Sequence, residues 1–346
     1  MRGFFAPILL ISLFACSHAV ADSGLAIVSE DFSAAPSDKY WYVCHRPENS
    51  FSFGKTDDGK TAMVATVKPE PKTFAFLKEH HGSCLDEGSV YQRDGDERAE
   101  IWESDAVRLK LGADVWYRFD MFIDESLNAA SKRFISGQWK EDKAARGGPL
   151  LAQRFTGGRF IITVEQDNHD PARKQDDVLC RVLIADQYPL SLSPAGWPHD
   201  DKTKDIPPRL AAGSYSTTMM MAGTTPDVAK DQGCARDINV TQYSTLPSPF
   251  GRWTTMVYHF ALRPDQHAFV DIWANGHKIA SVKGRIGYQK EGNRSTEYFK
   301  FGPYRDPESY ETVTKLANFM RSGSRQDADP TGKLTPDGPS GTATDR

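Results

Sequence analysis

Three short stretches of this sequence concentrate side chains that could hold and polarise an anion. They are Glu97-Arg98-Ala99-Glu100-Ile101-Trp102-Glu103, Ile135-Ser136-Gly137-Gln138-Trp139-Lys140 and Tyr298-Phe299-Lys300-Phe301-Gly302-Pro303-Tyr304-Arg305. Successive side chains on an extended chain point to opposite faces. Arg98, Glu100 and Trp102 therefore share one face, Gln138 shares a face with Lys140, and Tyr298 and Lys300 back onto Phe299 and Phe301. Pro303 lacks the N–H that a ladder uses and is expected to interrupt the pairing and re-aim Tyr304. Guanidinium, ammonium, amide and phenol groups on an apolar back are donors for carboxylates and hydroxyls. A concave sheet of such strands is expected to take an anionic, hydroxyl-rich ligand. Each group also has a plainer reading. An Arg and a Glu two apart on a strand can be a solvated or cross-strand ion pair. Lys140 opens the polar run Lys140-Glu141-Asp142-Lys143, Tyr304 could be a packing residue, and Trp102, Trp139 and Trp273 could belong to a core.

The elements that must carry these groups are strands. Residues 115–123, 159–164 and 253–262 are long runs of period two, and 268–273 meets 278–282 across Asn275-Gly276, the strongest short hairpin signal. Shorter candidates lie at 25–31, 40–44, 61–67, 98–103, 106–111, 133–139, 149–155, 178–185 and 297–302, while Glu308 to Met320 has helical spacing. Many strands, turns and few helices predict an all-β antiparallel sandwich. Residues 22–320 are expected to form one domain, with 186–250 as a Pro/Ser/Thr/Asp-rich excursion that is either a wall of the site or a surface elaboration. From Arg321 to 346 the chain is poor in apolar residues and is expected to be a disordered tail. The formal charge of −4, from 42 basic against 46 acidic residues, argues against a dedicated nucleic-acid binder.

Arg2, the apolar run Phe4 to Phe14 and Ala19-Val20-Ala21 before Asp22 read as an export signal over 1–21. Leu13-Phe14-Ala15-Cys16 offers a lipoprotein box at Cys16 as the alternative. Either makes the mature chain periplasmic or secreted, and no further stretch is apolar enough to span a membrane. Four cysteines then remain, with three possible pairings. Cys44–Cys84 and Cys180–Cys234 are expected because each closes a loop within one region of the chain. A metal site using His45, His80 and His81 beside Cys44 and Cys84 is the alternative, although the spacings match no zinc pattern. No cofactor is expected; a calcium ion is compatible with such folds, but no D-x-D-x-D-G loop is present.

In this order, the three stretches resemble the signature of jelly-roll polysaccharide lyases. Alginate lyases of that architecture carry R-S/T-E-L-R, Q-I/V-H and Y-F-K-A-G-x-Y. The sequence is more similar to bacterial heparin lyase I-like proteins, with E-R-A-E, Q-W-H/K and Y-F-K-F-G-x-Y-R, and the resemblance spans roughly residues 25–310. It implies a concanavalin-like jelly roll acting on an anionic polysaccharide; a monomer is expected. It further implies Tyr304 as proton carrier, Arg98, Gln138 and Lys140 as groups on a substrate carboxylate, and Glu100, Lys300, Arg305 and Trp102 as substrate-binding residues. Two positions depart from the alginate lyase pattern: its second arginine falls on Trp102, and its histidine on Lys140. His80, His81 and His169 are the candidates for a replacement base. Two other functions stay open, a carbohydrate-binding jelly roll without catalysis and a glycoside hydrolase using Glu97, Glu100 or Glu103 as paired carboxylates.

Overall fold

Asn275 and Gly276 take φ of +51° and +84°, the left-handed pair that a two-residue hairpin needs. The turn falls where the spacing predicts. The computed structural model describes residues 25–44, 50–69, 73–75, 90–92, 97–127, 133–142, 148–156, 158–167, 179–187, 218–220, 238–288 and 296–335. The chain enters with β1 (Val28–Glu30), β2 (Trp41–Cys44), β3 (Phe51–Lys55) and β4 (Thr61–Val67). Two short strands, β5 (Thr73–Ala75) and β6 (Val90–Gln92), pair with each other and precede β7 (Glu97–Arg98), β8 (Glu100–Glu103) and β9 (Leu109–Lys110). The long strands β10 (Val115–Ile123), β11 (Phe134–Glu141), β12 (Pro149–Thr156), β13 (Arg159–Asp167) and β14 (Leu179–Asp186) follow. Then come β15 (Thr218–Met220), β16 (Ile238–Gln242), β17 (Trp253–Ala261), β18 (Phe269–Ala274), β19 (His277–Gly284), β20 (Thr296–Arg305) and β21 (Thr312–Ser322).

These strands form two antiparallel sheets. One runs β16-β19-β18-β17-β10-β21-β4-β3, with β1 also on β21. The other runs β15-β14-β13-β12-β11-β20-β8-β2, with β7 and β9 also on β20. The expected antiparallel sandwich is the fold. Its middle is aromatic. Tyr117 and Phe119 of β10, Tyr258 and Phe260 of β17 and Phe319 of β21 meet Trp139 of β11 and Phe299 of β20. Trp139 lies 4.6 Å from both Phe299 and Tyr258, ring centroid to centroid. Burying such rings from both sheets is the main force holding the layers together.

The helix expected over 308–320 is strand β21. Its apolar positions fall three and four apart because a bulge interrupts the period of two. Asn318 adopts φ +51°, and the register against β10 slips between Arg118 and Asp120. An extra residue in a strand mimics helical spacing in the sequence. The strand also runs past residue 320. Arg321 and Ser322 are buried, and the helical turn Arg325–Ala328 and Leu334 pack over Trp116 and Trp273. Residues 321–335 are thus part of the sandwich. The excursion expected over 186–250 includes β15 and the sheet-edge strand β16. The signal segment 1–21, Cys16, Cys84, Cys234, the three histidines His80, His81 and His169, the rest of the excursion and residues 336–346 lie outside the described residues. So does the side chain of Cys44. Cys180 is buried and disulfide-bonded, to a partner outside the described residues.

A pair of buried carboxyl groups between the sheets is expected to make stability depend on pH. Glu141 and Glu297 are cross-strand partners, both buried on the inner side. Neither carboxylate oxygen of Glu297 has a hydrogen-bond partner among the described residues. Burial, with Glu103 and Glu141 adding repulsion, pushes Glu297 well above the ordinary carboxyl value of 4.5. A carboxyl held up in the folded state contributes stability that is complete below the unfolded value and is lost as pH rises through the folded one. Glu297→Gln is therefore expected to raise the melting temperature at alkaline pH and to leave it unchanged at acid pH. Melting curves of parent and variant that coincide across the pH range would contradict a protonated Glu297.

Candidate functional site

Strand β20 carries the site and its neighbours complete it. Across β7 and β8, Tyr304 is the partner of Arg98 and Lys300 of Trp102. Across β11, Tyr304 is the partner of Ile135, Lys300 of Gln138 and Tyr298 of Lys140. Residues directly opposite share a face of the sheet. Ile101, Trp139, Phe299 and Phe301 take the inner face, in the core. Arg98, Trp102, Gln138, Lys140, Tyr298, Lys300 and Tyr304 are left together on the outer one. Pro303 does not break the ladder: its carbonyl accepts from Ala99 N at 2.9 Å, and β20 runs on to Arg305. The local irregularity sits at Gly302, with φ +134°. A Cβ there would collide with the Ala99 carbonyl, so the close approach of β7 to β20 needs glycine.

Contacts within the group are cationic and aromatic. The Arg98 guanidinium lies 4.5 Å from the Tyr304 ring centroid, and that of Arg133 4.9 Å. Arg133 also donates from Nη1 to the Tyr304 hydroxyl at 3.4 Å. The Lys300 ammonium sits 3.3 Å from the Trp102 ring centroid, a cation–π contact that covers the indole. Gln138 Nε2 donates to Glu100 Oε1, which orients the amide.

Positive charge is crowded here. Burial first, with Lys140, Arg98 and Arg108 adding, drives Lys300 well below the ordinary lysine value, against the pull of Glu100. Burial also lowers Lys140, where Arg98 adds and Glu100 and Glu165 oppose. Burial pushes Tyr298 up to about 12. A nearby anion favours the charged form of amines held down by burial and by like charges. The arrangement is suited to bind a carboxylate.

The same face continues beyond the residues singled out from sequence. Arg154 on β12 is the partner of Ile135. It donates to Thr163 Oγ1 at 2.9 Å and to Glu165 Oε1 at 2.8 Å. Glu165, fully buried, also accepts from Arg181 Nε at 2.9 Å and from the Tyr288 hydroxyl at 3.0 Å. Arg133, Arg154, Glu165, Arg181 and Tyr288 were not legible as site residues. The available signal was a charged residue inside otherwise apolar strands, as at Arg154 and Glu165.

Other expected site residues lie on the opposite side. Arg305 points into the sandwich and is fully buried. Its Nε donates to Glu97 Oε2 at 2.9 Å, its Nη1 to Thr312 Oγ1 and its Nη2 to the Tyr310 carbonyl at 2.5 Å. It fastens β20 to β21 and is not placed to touch a ligand on the outer face. Glu97 and Glu103 are likewise inward and buried, paired with Arg305 and Arg321. Only Glu100 of the three glutamates proposed for hydrolysis is on the outer face. The carboxylate pair that glycoside hydrolysis needs on either side of a scissile bond is not formed by these residues.

Among solved structures, an endo-β-1,4-glucuronan lyase from the fungus Trichoderma reesei is 11% identical with a TM-score of 0.47, over 84% of this chain and 98% of that one. A family 7 alginate lyase is 12% identical with a TM-score of 0.39, over 82% of this chain and 95% of that one. An alginate lyase from Pseudomonas aeruginosa is 13% identical with a TM-score of 0.36, over 83% of this chain and 99% of that one. No curated protein sequence matches the chain. No helix of the described residues is long and apolar enough to cross a membrane. The model of the polysaccharide lyase family matches residues 54–324, and the chain belongs to that family.

Proposed function

We propose that this polysaccharide lyase cleaves a uronic-acid-containing polysaccharide by β-elimination on the outer face of the ten-stranded sheet. The observation that carries the reading is Tyr304, facing the guanidinium groups of Arg98 and Arg133 beside the row Gln138, Lys140 and Lys300. In β-elimination the C5–H bond of the uronate breaks, a C4–C5 double bond forms and the C4–O bond to the neighbouring sugar breaks. The C5 proton is too weakly acidic while the adjacent carboxylate keeps its full charge. Arg98, Gln138 and Lys140 donate to that carboxylate and stabilise the enolate-like transition state, as an oxyanion hole would. Tyr304 takes the C5 proton as a base and returns it to the leaving oxygen. Lys140 occupies the position of the alginate lyase histidine and serves as a carboxylate donor. Lys300 and Trp102 hold the polymer, and Glu100 keeps the Gln138 amide aimed.

The polymer belongs to the polyuronates. Glucuronan and alginate are the acting substrates named for the similar structures, and the motif resemblance to heparin lyase I-like proteins adds a heparin-like chain to the set. The enzyme is proposed to be exported through the segment 1–21 and to act as a single chain, with Cys44–Cys84 and Cys180–Cys234 oxidised. A polyuronate whose carboxylates have been reduced to primary alcohols tests the reading. It is expected to be neither cleaved nor bound, because the donors lose their partner. Cleavage of the reduced polymer at the rate of the native one would overturn it.

Binding should also depend on pH. Lys300 and Lys140 are held low in the free protein, and the ligand carboxylate favours their charged forms. The dissociation constant of the polyuronate is expected to rise with pH, measured by titration calorimetry on a variant that cannot cleave. An affinity independent of pH would show that neither amine faces the substrate charge.

A further inference from the structure

Arg133 stands one residue before β11 and is fixed to the end of β20 twice over. Its carbonyl accepts from Asp306 N at 3.2 Å, and its Nη2 lies 2.6 Å from Asp306 Oδ1. With one arm of the fork on Asp306, the other points Nη1 at the Tyr304 hydroxyl, 3.4 Å away. Both Arg98 and Arg133 lie over the ring of Tyr304, and Arg133 in addition reaches its hydroxyl. Arg133 is aimed at the phenol oxygen and braced from behind by Asp306. A guanidinium remains charged at any pH of interest and cannot take the proton itself. What it supplies is a fixed positive charge and a donor for an oxygen that alternates between phenol and phenolate.

Resting on the lyase reading above, we infer that Arg133, braced by Asp306, is a positioning residue that aims the Tyr304 hydroxyl and balances the charge on its oxygen while that oxygen acts as the base. Arg133 touches the proton carrier and not the polymer. Its removal acts on turnover rather than on binding.

The test is a series of variants assayed on a polyuronate that the parent cleaves. Arg133→Ala is expected to lower kcat by about 10–100-fold, less than the ~10²–10³ of a direct oxyanion donor, because the contact at 3.4 Å is long. KM is expected to stay within about twofold, the pattern of an interaction made only in the transition state. Arg133→Lys keeps the charge and should recover a large part of the loss, while Arg133→Gln, uncharged and shorter, should not. Asp306→Asn, which loosens the brace, should lower kcat by a smaller factor. Melting temperatures taken on each variant identify any loss that is only unfolding, and the Lys and Gln variants report whether a positive charge restores turnover. Parental kcat in Arg133→Ala, or a raised KM with kcat unchanged, would overturn the inference. So would equal activity of the Lys and Gln variants. Tyr304→Phe in the same assay separates the two levels. An inactive Tyr304→Phe beside a fully active Arg133→Ala refutes the role of Arg133 alone, whereas a fully active Tyr304→Phe refutes the lyase mechanism beneath it.

Discussion

Tyr304→Phe is expected to lower the rate of polyuronate cleavage by about 10²–10⁴, the usual contribution of a positioned acid–base group. At 1.36 kcal/mol per decade this is roughly 3–5 kcal/mol of transition-state stabilisation. The substitution removes one oxygen and keeps the ring. The stack on Arg98, whose guanidinium lies 4.5 Å from the ring centroid, survives, as do the cross-strand neighbours Ile135 and Arg98. Gln138, Lys140 and Lys300 are untouched. Affinity for the uncleaved polymer should therefore stay within about twofold while turnover collapses, the signature of a group that acts in the transition state. Initial rates and equilibrium titration on the same preparation check both halves. A variant with weakened binding and parental turnover would make Tyr304 a contact residue and leave the proton without a carrier.

The second large effect is on stability. Arg321→Met is expected to cost about 3–5 kcal/mol, the range for stranding one member of a buried ion pair. Arg321 Nη1 lies 2.7 Å from Glu103 Oε1 and 2.7 Å from the Val107 carbonyl. Glu103 also accepts from the Tyr117 hydroxyl at 3.2 Å and from Phe299 N at 2.8 Å. Burial already pushes Glu103 up, and Arg321 is the main group resisting it. Without the arginine, the carboxylate must take a proton or leave the core. Phe299 lies between Tyr298 and Lys300 on β20, so the pair also fixes the strand that carries the site. Adding Glu103→Gln to Arg321→Met should recover part of the loss, since two neutral groups tolerate burial better than one charge. Urea unfolding midpoints measure it. A single variant as stable as the parent would mean that the pair contributes nothing to the fold.

Local alternation was enough to read much of the site. In 298–302 the order Tyr, Phe, Lys, Phe places Tyr298 and Lys300 on one side without any knowledge of the partners, and Tyr304, expected beyond a break at Pro303, joins them because the ladder continues. What could not be read depends on irregular pairing. The register of β11 slips between Ile135 and Gly137 against both neighbours. Strict alternation counted back from Gln138 puts Arg133 and Ile135 on the core face, and the bulge returns them to the face of Tyr304. Arg305 departs from the expected face for the opposite reason. Pro303 suggested a break, but the Ala99 N–H keeps the ladder going from its own side, so Arg305 follows Phe299 and Phe301 inward. Strand β21 hid behind a bulge at Asn318 and behind threonines, Thr312 and Thr314, buried where apolar residues are expected. Arg321 looked like the first residue of a polar tail because a single sequence does not reveal the carboxylate waiting for it.

The product of bond cleavage reports the chemistry directly. The parent protein is incubated with glucuronan, alginate and a heparin-like polymer, following ultraviolet absorbance of the new double bond beside the count of new reducing ends. β-Elimination predicts that, on at least one of these polymers, each new reducing end is matched by one unsaturated sugar. New reducing ends without the absorbance would mean hydrolysis, and would contradict the role assigned to Tyr304 and to the cationic face around it.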